Sequence, residues 1–158
     1  MEYINIYETD NIIVQAPLLP HVSREEGGHI RISTKEGYEN RWEMPPVIAI
    51  EFMRLTMIVG EAMKIAMNNL EIPVIRINFQ DMGNWAYKTG KKPAFHMILY
   101  GRASNAKVQV FPEAVQLPSR ETGFYDNFKP LTEEDAKEIR KQIILIQSQD
   151  KYKDSNWV

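Results

Sequence analysis

One stretch, PPVIAIEFMRLTMIVGEAMKIAMNNL from Pro45 to Leu70, constrains this chain more than any other. Ile48, Phe52, Leu55, Val59, Ala62 and Ala66 recur at helical spacing and form one apolar stripe. Glu51, Arg54, Glu61, Lys64 and Asn68 form a polar one. Pro45 and Pro46 fit a first helical turn, and Asn68 and Asn69 weaken the far end. Ile50, Met53 and Met57 widen the apolar surface beyond what a one-sided surface helix requires. A broad core contact and a subunit interface are the two explanations. The charges spread through the stretch argue against a membrane span.

Strands supply the layer that such a helix must cover. NIIVQAP (Asn11 to Pro17) reads as a short strand ending at proline. GGHIRIST (Gly27 to Thr34) alternates His29, Arg31 and Ser33 against Ile30 and Ile32, the period-two pattern of a half-buried strand. IPVIRINF (Ile72 to Phe79) alternates again, DMGNWAYKTGKKP makes a hairpin or longer loop, and Ala94 to Tyr100 return as a strand. AKVQVF (Ala106 to Phe111) is expected as a further short strand, and Pro112 to Pro130 as an irregular arm. Thr132, with Asp135 three residues on, caps a last helix in TEEDAKEIRKQIILIQ. The class is α+β: an antiparallel sheet, one long helix across it and a C-terminal helix.

With 158 residues and neither an internal repeat nor a linker, the chain is expected to form a single domain over 1–158. The absence of cysteine excludes thiolate catalysis and Cys-ligated metal or iron–sulfur sites, and suits a reducing cytoplasm. A net charge of −2 offers no footprint for nucleic acid. MEYINIYETD has neither the basic nor the apolar region of a signal peptide, so a cytoplasmic protein is expected.

On the strand from Ala94 to Tyr100, the apolar Phe95, Met97 and Leu99 point one way, toward a core. Ala94, His96, Ile98 and Tyr100 point the other way, where a cleft can form. Taken alone, His96 is either a structural histidine or a catalytic one.

The order GGHIRIS, long helix, RINFQDMGNW, KKPAFHMILYGR resembles the histidine-triad (HIT) superfamily over roughly residues 5 to 110. It is most similar to the bacterial branch related to diadenosine tetraphosphate hydrolase. The family pattern is His-φ-His-φ-His-φ-φ, with φ apolar. Ala94-Phe95-His96-Met97-Ile98-Leu99-Tyr100 fits each φ and keeps the middle histidine, with Ala94 and Ile98 in place of the first and third. Frames that start or end the triad at His96 put Gly101 and Arg102, or Pro93, where they do not belong.

The resemblance implies His29 as the additional histidine beside the triad, and Gln80 and Asn78 near a phosphate. The family's Gly-Gln-Ser/Thr stretch is replaced by KTGKK, whose Lys91 and Lys92 are either phosphate contacts or solvated loop lysines. Gln15 falls near the family's ribose contact. In the family the middle histidine attacks the α-phosphorus, and water then releases a nucleoside monophosphate; no metal or other cofactor takes part. A nucleotide ligand and a homodimer are the implied partners. Two functions stay open: a nucleotide hydrolase of the dinucleoside polyphosphate type working through His96 and weakened by its incomplete triad, or an inactive nucleotide-binding or interaction protein on the same fold.

Overall fold

The computed structural model describes residues 1–158. Five strands form one antiparallel sheet: β1 (Tyr3–Glu8), β2 (Ile12–Pro17), β3 (His29–Thr34), β4 (Val74–Asp81) and β5 (His96–Ala103). Their spatial order is β1-β2-β3-β5-β4, so the last two strands exchange places and β4 becomes an edge. Helix α1 (Pro46–Asn69) and helix α2 (Glu133–Gln147) complete the α+β architecture.

The alternation in the strands decides which face is dry. Ile12, Val14, Ile30, Ile32 and Leu99 are fully buried on one face, against Phe52, Leu55, Val59, Met63 and Ala66 of α1. Ile139 and Ile143 of α2 join the same core. Helix α1 packs on both the sheet and α2, which accounts for its wide apolar surface. Ile58, Met63 and Met67 are buried in addition to the expected stripe, and Met57 packs against the core. Ile48 and Ile50 are half-buried, and Met53 remains 54% exposed.

Pro46 occupies the first turn of α1, where its missing N–H has no intrahelical partner to lose. Thr132 opens α2 with a capping box closed by Asp135. The Asp135 carboxylate also takes a bidentate pair from Arg24, at 2.6 Å from Nε and 2.7 Å from Nη2.

Two segments depart from the sequence reading. Tyr3–Glu8, to which that reading assigns no element, forms the edge strand β1, with a register shift between Asn5 and Tyr7 and Ile6 buried in the core. Ala106–Phe111, expected as a strand, is a loop. The backbone N–H groups of Lys107, Val108 and Gln109 all donate to the Glu26 carboxylate, at 2.7–2.8 Å, and are spent on that anchor rather than on a ladder. Gly27 and Gly101 pack backbone on backbone where the chain enters β3; a Cβ on either would overlap the other, and Gly27 has φ 126.

Candidate functional site

The register between β3 and β5 builds the floor of the site. His29 pairs with Tyr100, Arg31 with Ile98 and Ser33 with His96. Paired residues share a face, so these six side chains stand on the face opposite α1. A cleft of about 470 Å³ opens over four of them, His29, Arg31, His96 and Ile98. His21, before β3, and Trp85, after β4, form part of its wall, and Arg120 reaches in from the C-terminal arm. No aspartate or glutamate lines it.

His96 opens β5. Its Nδ1 lies 2.7 Å from the carbonyl oxygen of Ala94. A carbonyl only accepts, so Nδ1 carries the proton and Nε2 keeps its lone pair. Burial lowers the His96 pKa; the Ala94 bond opposes this, Arg31 adds to the lowering, and Asp81 works against it. The imidazole is therefore neutral and nucleophilic at neutral pH.

The other two histidines interlock. The His21 backbone N–H donates to His29 Nδ1 at 3.1 Å, which assigns the His29 proton to Nε2. The rings stack with centroids 4.8 Å apart. His21 Nδ1 lies 2.7 Å from the Tyr100 hydroxyl, and Trp85 meets the His21 ring edge-on at 5.3 Å. Burial holds the His29 pKa well below its ordinary value, with His21 and Arg120 contributing. Burial raises the Tyr100 pKa, so its hydroxyl stays protonated.

Positive charge in the cleft comes from guanidinium groups. Arg120 donates to the Leu19 carbonyl at 2.8 Å and lies over the rings of Trp85 and Tyr125. Arg31 donates from Nη1 to the Tyr3 hydroxyl at 2.6 Å, and its buried Nε has no partner. No group of three or more His, Asp or Glu side chains is arranged to hold a metal ion.

No protein-family model matches the chain, and no curated protein matches it in sequence. Solved structures do match. One is a Hit-like protein involved in cell-cycle regulation from Bartonella henselae, with an unknown ligand: 18% identity over 90% of this chain and 87% of that one, TM-score 0.58. A second is a hypothetical histidine triad nucleotide-binding protein from Sulfolobus tokodaii: 16% identity, 100% and 93% coverage, TM-score 0.58. A third is a Zn-bound histidine triad family protein from Mycobacterium smegmatis: 16% identity, 94% and 88% coverage, TM-score 0.55. The fold is the histidine-triad fold.

Within this histidine-triad fold, four of the residues singled out by sequence line the cleft: His96, His29, Ala94 and Ile98. Gln80 pairs with Ile98 from β4, but it lies outside the cleft wall and its buried Oε1 has no partner. Asn78 pairs with Tyr100 and accepts a 2.8 Å bond from Arg102, whose Nη2 donates to the carbonyls of Gln109, Val110 and Glu113. Lys91 is exposed on the loop before β5, outside the wall, and Lys92 pairs with Glu39. Gln15 donates to Asn5 on the neighbouring strand.

Sequence reading missed His21, Trp85, Arg31 and Arg120. For Arg31 a signal existed, because it lies two residues from His29 and so shares its face of the strand. His21 and Arg120 sit in loops without periodicity, and only the folded chain brings them to the cleft.

Proposed function

We propose that this chain is a nucleotide-binding protein of the histidine-triad type and a slow hydrolase of dinucleoside polyphosphates or related nucleotides, with His96 as nucleophile. The observation that carries the reading is the bond from His96 Nδ1 to Ala94, which leaves Nε2 unprotonated in a cleft that bears guanidinium groups and no carboxylate. The Sulfolobus neighbour is described as nucleotide-binding, in keeping with this reading.

In the proposed reaction Nε2 bonds to the α-phosphorus as the bond to the bridging atom breaks, and the leaving group departs with that electron pair. Water then attacks the phosphorus, Nε2 leaves, and a nucleoside monophosphate is released. Electrostatic stabilisation of the shifting charge normally dominates such a transfer. Ala94 and Ile98 supply no side-chain donor, and each missing donor costs on the order of 10²–10³ in rate. The Nε2–H of His29 and the guanidinium of Arg120 remain to contribute. A second reading, a nucleotide-binding protein without useful turnover, is favoured by the same two residues.

The test is hydrolysis of diadenosine tetraphosphate and of adenosine phosphoramidate, followed by chromatography, with mass spectrometry of the quenched protein. Wild type is expected to turn over slowly and to carry an adenylyl group on His96, and His96→Ala to do neither. Ala94→His with Ile98→His is expected to raise the rate by orders of magnitude. Turnover that survives His96→Ala excludes this mechanism. A folded double variant with no gain leaves the binding reading.

We also propose a homodimer formed along the edge strand β4. This edge presents Ile75, 48% exposed, and Phe79, 47% exposed, whose ring lies against Gly60 of α1. Exposed apolar side chains on an unpaired strand edge invite a second copy.

A further inference from the structure

Arg31 differs from most other arginines of the chain. Arg24, Arg41 and Arg54 pair with Asp135, Asp81 and Asp154. Arg102 and Arg140 donate to backbone carbonyls. Arg31 forms no ion pair, and its sole protein hydrogen bond goes to a neutral phenol, Tyr3. A guanidinium offers five donors in a planar fork. Anchoring the side chain to Tyr3 uses one of them, and the buried Nε finds none of its own. A half-buried guanidinium whose remaining Nη donors have no protein partner, in a wall that contains no carboxylate, is suited to an oxyanion.

Its position separates it from His96. His96 pairs with Ser33, so Arg31 is its diagonal neighbour on β3, roughly 7–8 Å away between backbones. From there the side chain reaches across β2 to Tyr3 on β1, away from β5. Backbone separation and side-chain direction set the Arg31 fork to the β1 side of His96, within range of its charge.

We propose, building on the nucleotide reading above, that Arg31 is a second anion-binding point of the cleft and that the preferred ligand carries a second phosphate beyond the one facing His96. That phosphate is either the next in a chain or one attached elsewhere on the nucleoside.

Calorimetric titration with AMP, ADP and adenosine 3′,5′-bisphosphate tests this on wild type, Arg31→Met, Arg31→Gln and Lys137→Gln, an exposed cation on α2 serving as the charge control. Thermal melts establish that each variant is folded. In wild type, ADP or the bisphosphate is expected to bind about tenfold more tightly than AMP, the ordinary worth of a hydrogen-bonded charge contact. Which of the two gains tells a chain phosphate from a separated one. The ratio should fall to near one in both Arg31 variants and stay at its wild-type value in Lys137→Gln. AMP binding without preference in wild type, or a preference that persists in either folded Arg31 variant, overturns the role of Arg31 and leaves the nucleotide reading intact. If none of the three ligands binds wild type, both fail.

Discussion

Burial among His29, Trp85 and Tyr125, then the charges of Arg120 and His96, together pull the His21 pKa from 6.5 to about 4. The unfolded chain takes up a proton near pH 6.5 that the folded chain refuses until about pH 4. Between those values the unfolded state holds more protons, so stability rises with pH across the window and is lost as acid is added through it. For His21 alone the full difference corresponds to about 3 kcal/mol. His29 and His96, lowered for the same main reason, steepen the same slope. Urea unfolding should therefore show a lower midpoint at about pH 5 than at about pH 7, with a smaller loss in His21→Asn. Equal midpoints at the two pH values would contradict the buried, neutral state of these rings.

The start of α2 shows how one side chain serves two elements. Asp135 accepts from the Thr132 backbone N–H at 2.7 Å and from Arg24 in the β2–β3 connection, and its side chain is fully buried. Thr132 contributes only the cap, accepting from Asp135 N at 3.2 Å. Thr132→Ala should cost about 1 kcal/mol, the ordinary worth of an N-cap. Asp135→Ala removes the cap partner and also the charge-assisted bonds to the partly exposed Arg24, and should cost about 2–4 kcal/mol. Equal losses in denaturant melts would mean that the Arg24 pair adds nothing. The loop 106–111 makes a related point, since a single carboxylate, Glu26, takes three successive N–H groups out of reach of any sheet.

For the whole molecule, the strand order leaves β4 at one edge of the sheet, beside α1. Sedimentation velocity at micromolar concentration is expected to show a dimer, and Phe79→Glu to shift it toward monomer. The Phe79 ring is half exposed, so a charge there disturbs little of the monomer core. A wild-type monomer removes the assembly proposal. No helix is long and apolar enough to cross a membrane, consistent with the charges within Pro45–Leu70.

Local pattern in the sequence determined α1 and four of the five strands, and the Thr132 capping box α2, because alternation, helical spacing and caps are local consequences of chain geometry. It also put His96, Ile98 and Ala94 on the face away from that core, since side-chain direction along a strand follows from counting residues. The HIT resemblance added His29. The neighbours of these residues were decided elsewhere. Strand order and register brought Arg31 opposite Ile98, and the packing of two aperiodic loops carried His21 and Arg120 into the cleft. Ala106–Phe111 carries a strand-like pattern, yet Glu26, some eighty residues earlier, claims its donors. Local pattern specifies a face, whereas contacts between residues distant along the chain depend on free energies that only the folded chain sums.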